Sequence, residues 1–337
     1  MRILIVAPSW VGDAVLSQPL LARIKDKQPD AQIDVLAPAW VLPVYRRMSE
    51  VADTLENPFA HGELALRRRA DLGKVLRARG YHAAYVLPNS LKSALVPFIA
   101  RIPRRVGFVG EMRYGLLNDA RRLDRKALPL MVERFAWLAQ DASSTLSRPL
   151  APPRLNAGVD EANMVFSRLD TRKPQRFACF CPGAEYGPAK RWPAEYFARL
   201  VRSLTQDGYE VWLLGSAKDA DIGRQIADAA GTGVRNVCGV TSLDEAVVLL
   251  SAADLVVTND SGLMHVAAAL RRPTVAIYGS SSPAFTPPLS DTARVVKLDL
   301  PCSPCFKRVC PLGHFNCMMQ LQPQQMLQEV NRLTRPQ

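Results

Sequence analysis

The chain has 337 residues, 48% of them hydrophobic and 22% charged, which is long for one domain and comfortable for two with a core each. No apolar run approaches the ~20 residues of a membrane span, and the chain enters its first strand at once. Neither a spanning helix nor a leader is therefore expected, and the expected location is the cytoplasm. Net charge is +12 with an isoelectric point near 9.6, which calls for an anionic partner, and no helix-turn-helix, zinc-finger or RNP-type signature argues for nucleic acid.

Short β-rich apolar runs alternate with helical periodicity along almost the whole chain, which predicts an α/β protein with doubly wound parallel sheets. In the first half, strands are predicted near 2–7, 32–37, 83–87 and 104–108, and helices near 13–27, 65–79, 90–100 and 129–141. The stretch RPLAPP (148–153) cannot continue a helix and marks the approach to a linker. A short helix over 160–169 is expected to bridge the halves, giving domains 1–170 and 171–337. The alternation then restarts, with strands at 177–181, 210–215, 254–259 and 274–279. Helices are predicted at 193–206, 219–230, 243–252, 262–270 and 324–333, the last free to pack back on the first domain. Two such domains imply a cleft, with ligands outside the carboxyl ends of the strands.

Strand one is followed by APSWVGDAVL (7–16), where a nucleotide-binding unit would carry G-x-G-x-x-G. Here a single Gly12 precedes a carboxylate, Asp13. Either this loop is plain structure or its ligand is not the phosphate. The segment TNDSGLMHVAAALRRPTVAIYG (258–279) runs from a buried strand through Asp260, Ser261 and Gly262 into a helix. Asp260 reads as an N-cap or as part of a diphosphate seat, since a helix start at a strand's carboxyl edge offers free amides and a positive dipole end. His265 lies one turn in and reads equally as structural or as a ligand group. The loop CPGAEYGPAKRWPAEYFARL (181–200) sets Lys190 and Arg191 ahead of a helix N-terminus that needs no cations, so an anionic ligand or a surface ion pair accounts for them. From 101 to 134 there are nine Lys/Arg against four acids, a solvated face or a seat for anionic lipid or a phosphorylated acceptor.

The WVGDAVL loop, the PGAEYGPAKRWP loop and the NDSGLMHVAAAL segment, in this order, resemble the ADP-heptose:lipopolysaccharide heptosyltransferases, glycosyltransferase family 9. The resemblance spans essentially the whole chain and is closer to the branch that adds the second heptose than to the first. It implies the GT-B architecture, two Rossmann-like domains with the acceptor on the N-terminal and ADP-heptose on the C-terminal one. It also implies an inverting transfer to the Kdo-lipid A inner core, no cofactor, and peripheral contact with the inner membrane. By resemblance, Asp13 after Gly12 is the general base and Lys190 the phosphate-binding cation. Asp260 lies near the donor sugar, with the Ser261, Gly262 and Leu263 amides at the diphosphate and His265 close by. Thr241 falls at the adenine, and Glu185 and Ser216 are weaker carry-overs. A nucleotide-sugar 2-epimerase, and outside catalysis a nucleotide- or RNA-binding protein, are the competing readings.

Cys302, Cys305, Cys310 and Cys317 form C-x2-C-x4-C-x6-C around His314. Tight spacing suggests zinc or an iron–sulfur cluster over disulfides, but it matches no known zinc module and the transfer chemistry needs no metal. The expectation is no metal and no catalytic role. Cys179, Cys181 and Cys238 read as small core residues.

Overall fold

The computed structural model describes residues 1–60 and 62–334; residues 335–337 of the expected second domain lie outside the described residues. The chain divides into two compact units, Met1–Pro153 and Arg154–Gln337.

The first unit is a six-stranded parallel sheet. Its strands are β1 (Arg2–Val6), β2 (Gln32–Ala37), β3 (Val51–Glu56), β4 (Ala83–Val86), β5 (Arg104–Phe108) and β6 (Asp119–Arg121), in the order β3-β2-β1-β4-β5-β6. β1 and β4 are the central pair, in register from Ile3↔Ala83 to Val6↔Val86. Both are apolar runs rather than alternating ones because helices cover both faces. Those helices are α1 (Val11–Leu16), α2 (Gln18–Lys27), α3 (Leu42–Arg46), α4 (Leu66–Arg77), α5 (Leu91–Ile99) and α6 (Met131–Trp137). The single helix predicted over 13–27 is two. Pro19 has no amide to donate, so the ladder breaks at Ser17, whose hydroxyl donates to Ala14 O at 2.7 Å.

The second unit repeats the plan with β7 (Phe177–Cys181), β8 (Glu210–Leu213), β9 (Val234–Asn236), β10 (Leu255–Asn259), β11 (Thr274–Ile277) and β12 (Ala293–Val296). The order is β12-β11-β10-β7-β8-β9, again all parallel. Its helices are α7 (Val159–Arg168), α8 (Ala194–Gln206), α9 (Ala220–Ala230), α10 (Leu243–Ala252), α11 (Gly262–Ala269), α12 (Asn316–Met319) and α13 (Pro323–Thr334). α8 buries Phe197, Leu200, Val201 and Leu204, the i, i+3, i+4, i+7 stripe that seats a helix on a sheet.

Two expectations about the boundary change. The chain divides after Pro153, and α7 is part of the second unit rather than a bridge: its Phe166 packs edge-on against Phe177 and Trp212, ring centroids 5.4 and 5.3 Å away. The terminal helix α13 joins the second core through buried Met326 and Val330 and rests on α8, β11 and β12. If α7 is core, Phe166→Ala should cost about 3–5 kcal/mol in urea unfolding of the second unit. A loss below about 1 kcal/mol would return α7 to the role of a linker.

Candidate functional site

In each sheet the strand order reverses once, between β1 and β4 and between β7 and β10. These reversals open a crevice at the carboxyl ends, where doubly wound sheets take ligands. The expected site residues divide between the two reversals.

In the second unit the β7–β10 register pairs Cys181 with Thr258, so the loop leaving β7 starts beside Asn259. Asn259 is fully buried and holds both ends of that loop. Its Nδ2 donates to Pro182 O at 2.7 Å, and its Oδ1 accepts from the Trp192 amide at 3.1 Å. Between these ties a single 3₁₀ turn, Pro188–Lys190, presents Lys190. Lys190 Nζ donates to Asp260 Oδ2 at 2.5 Å, the Ser281 hydroxyl donates to the same oxygen, and the Tyr186 ring lies 5.1 Å from the ammonium. Asp260 is 4% exposed and the Lys190 side chain 16%.

Asp260 is not a cap. The N-cap of α11 is Ser261, with no side-chain cap bond, and the Asp260 carboxylate is committed to Lys190 and Ser281. The amides of Ser261, Gly262 and Leu263 open the helix and have no carbonyl four residues back to bond. His265 is buried behind them. Burial pulls its imidazole down to about 4; nearby Asp260 opposes this and Lys190 reinforces it. It is a neutral imidazole at pH 7.

The segment around the four clustered cysteines supports the Lys190 loop from outside. The Ala189 amide donates to Arg308 O at 3.0 Å and the Tyr186 hydroxyl to Phe306 O at 2.8 Å. Gly187 sits at φ +154°, and a Cβ there would lie 2.5 Å from Arg308 O, so only glycine allows this approach. All seven cysteines are free thiols. Amides of Phe315, Leu312, Gly313 and His314 hold the Cys310 thiol below its ordinary range. Among the described residues no three His, Cys, Asp or Glu side chains are placed to hold a metal ion.

The weaker carry-overs stand on neighbouring loops and do not join the Lys190–Asp260 cluster. Glu185 is exposed and pairs with Lys218 at 2.6 Å. Ser216 shares Asp219 Oδ2 through its amide and hydroxyl, at 2.9 and 2.8 Å. The Thr241 hydroxyl is buried without a partner, as is Arg191 Nε. Sequence reasoning passes over Asn259 and Ser281. Each follows or ends a recognised strand, but an Asn or Ser in such a place is too common to single out.

In the first unit Gly12 and Asp13 form the first turn of α1, directly after β1, and both are half-buried. Behind them the buried Tyr45 hydroxyl meets Ser17 Oγ at 3.0 Å; burial raises its pKa, and the Asp13 charge adds to that rise. The basic stretch is only partly a surface. Arg113 is 1% exposed and donates to Phe108 O through Nε at 3.0 Å and to Pro88 O through Nη1 at 2.5 Å. Arg121 is buried against Asp119 at 2.9 Å, under the Trp137 ring, and Arg104 pairs with the same Asp119 at 2.9 Å. These three are framework.

The chain matches glycosyltransferase family 9 (heptosyltransferase) over residues 69–316. It is 48% identical to lipopolysaccharide heptosyltransferase 2 of Escherichia coli K12, over 99% of this chain and 98% of that protein. Identity to lipooligosaccharide heptosyltransferase 2 of Haemophilus influenzae is 46%, over 88% of this chain and 89% of the relative. The solved structure of the E. coli ADP-heptose lipopolysaccharide heptosyltransferase II superposes with a TM-score of 0.90 at 46% identity, covering 99% and 98% of the two chains. Two parallel six-stranded α/β units, this superposition and near-complete coverage agree: the fold is of the GT-B type, and the chain belongs to glycosyltransferase family 9.

Proposed function

We propose that this chain moves L-glycero-D-manno-heptose from ADP-heptose to heptosyl-Kdo2-lipid A, adding the second heptose of the lipopolysaccharide inner core with inversion. The observation that carries the reading is 48% identity across 99% of the chain to a lipopolysaccharide heptosyltransferase 2. The first unit is read as the acceptor domain and the second as the donor domain, working in the cytoplasm with peripheral contact at the anionic inner membrane.

In this reading Asp13 takes the proton from the acceptor hydroxyl. The freed oxygen bonds the anomeric carbon of heptose while the bond from that carbon to the β-phosphate oxygen breaks, and ADP leaves with the electron pair. Lys190 offsets the charge that grows on the leaving diphosphate, together with the α11 amides at Ser261–Leu263. Asp260 holds the donor sugar, steadied by Ser281. His265, kept neutral by burial, adds no charge to compete with Lys190 for the phosphates. No step calls for a metal.

Incubation with ADP-heptose and heptosyl-Kdo2-lipid A should yield a product heavier by one heptose in mass spectrometry. Equal use of Kdo2-lipid A would favour the first-heptose reaction. An altered nucleotide sugar formed without acceptor would favour an epimerase, and retention of ADP-heptose without turnover a binding protein.

Asp13→Asn keeps shape but cannot accept the proton, so kcat should fall by about 10²–10⁴ with the ADP-heptose KM little changed. A stable Asp13→Asn enzyme at wild-type rate would end this mechanism. Lys190→Ala should lower donor affinity and turnover together, with kcat falling further if leaving-group charge grows in the transition state. Its melts must be run alongside, because it leaves the buried Asp260 carboxylate without its cation. For His265 the folded pKa lies below the ordinary 6.5. The unfolded chain then binds more protons through this window, so stability is full above about 6.5 and is lost as pH falls toward about 4. His265→Gln should flatten the dependence of Tm on pH over that window. An unchanged slope would show that His265 is not the group responsible.

A further inference from the structure

A cavity of about 440 Å³ opens on the first unit where α4 and α5 end and β5 begins, lined by Arg77, Phe98, Ile99, Arg101 and Arg105. It lies at the amino edge of the sheet, whereas Asp13 follows the carboxyl end of β1, so it is separate from the site described above.

Three guanidinium-bearing side chains line this space and no carboxylate is among the lining residues. Two are fixed by neutral acceptors. Arg77 Nη2 donates to Ile99 O at 2.6 Å, while Arg105 donates through Nε to Leu116 O at 2.7 Å and through Nη1 to Ile102 O at 2.6 Å. Carbonyls orient these cations without neutralising them. The contrast is Arg104, one residue away, which has Asp119. Arg101 is exposed, held at φ +55°, and among the described residues its side chain has no hydrogen-bond or ion-pair partner. Clustered like charges repel, and although Arg77 and Arg105 bind carbonyls at and just past the end of α5, Arg101 adds its charge to theirs with no such bond of its own. Oriented guanidinium forks do match phosphate oxygens. Phe98, under the Arg105 guanidinium at 5.5 Å, is 44% exposed, an aromatic edge of the kind that settles at a lipid–water boundary.

We propose that this cavity is an anion site for a phosphate group, presented by the headgroup of an anionic lipid at a membrane surface. It rests on the proposed function only for the source of the phosphate.

The full chain would be sedimented with vesicles of phosphatidylcholine alone and with phosphatidylglycerol added, and titrated in parallel with inorganic phosphate while the arginine side-chain NMR signals are followed. The proteins compared are the wild type, Arg101→Gln and Arg122→Gln, the last losing an equal charge at an exposed position outside the cavity. Binding should require phosphatidylglycerol, and Arg101→Gln should weaken it by about five-fold or more, with a clearly smaller effect of Arg122→Gln. Equal weakening by both variants would mean diffuse attraction and overturn the site. Phosphate binding that Arg101→Gln abolishes, with vesicle binding unaffected, would keep the anion site and overturn the lipid source. Failure of the wild type to bind either probe overturns both. Heptosyl transfer assayed on the same preparations separates the two readings, because transfer without vesicle or phosphate binding removes the cavity's role and leaves the enzyme reading standing.

Discussion

Asn259 is the point on which the donor-side arrangement depends. Parallel strands cannot be joined by tight turns, so β7 and β10 meet across some 70 residues of chain, and the loops that leave them have no covalent reason to stay together. The buried Asn259 amide supplies one. A single side chain donates to the start of the β7 loop and accepts from its end, which closes that loop into a fixed ring against the end of β10. Trp192 completes the fastening from below, its indole donating to Leu321 O at 2.8 Å within the second core. Lys190 is thus held by the strand that also delivers Asp260. A hydrophobic residue of similar size would fill the space but leave Pro182 O and the Trp192 amide buried without partners.

With the backbone fixed, electrostatics decides the state of each group. Asp260 is buried and its carboxylate is met by the Lys190 ammonium, whose side chain stays partly open to solvent. Burial also keeps His265 neutral, although a carboxylate lies close by. Burial penalises charge throughout this corner, and what differs is the partner at hand. Asp260 has the Lys190 ammonium against its carboxylate, while His265 gives up its proton. On the outer side, the Arg308 and Phe306 carbonyls accept from the Ala189 amide and the Tyr186 hydroxyl and so hold the backbone that carries Lys190.

Much of the frame was legible because buried parallel strands are continuous apolar runs: β1, β2, β4, β5, β7, β8, β10 and β11 all match predicted strands. The missed strands, β3, β6, β9 and β12, are the outer members of the two sheets. One face or edge of each is open, so VADTLE and the three-residue DAR and VRN carry too little apolar signal to register. The three motifs located the loops that carry Asp13, Lys190 and Asp260, since strand ends in this topology are where ligand groups gather. They did not reveal which groups touch. Lys190 and Asp260 are 70 residues apart, and only the β7–β10 register brings them within a hydrogen bond. The domain boundary was misplaced for a related reason. A proline-rich stretch announces a linker, but whether the next helix belongs before or after it depends on which core Phe166 enters.

Charge shows the limit of composition most clearly. Nine cations between 101 and 134 suggest one basic face, yet they serve at least three physical purposes. Arg113 is an internal brace whose guanidinium replaces missing backbone partners for Phe108 and Pro88 carbonyls, and burial pulls its pKa down to about 10. Arg104 and Arg121 converge on Asp119, the first tying β5 to β6 and the second pairing within β6, so both charges are matched by one carboxylate at the sheet. Arg101 and Arg105 instead meet Arg77, from a helix outside the stretch, around a space with no acid in its wall. Sequence separates none of these cases, because an arginine that braces a loop and one that waits for an anion are the same residue in the same composition. The acceptors that surround each one make the difference. Carbonyls orient a guanidinium without neutralising it, and exposure then decides whether an anion can reach it: Arg113 is buried among its carbonyls, whereas Arg101 stands open.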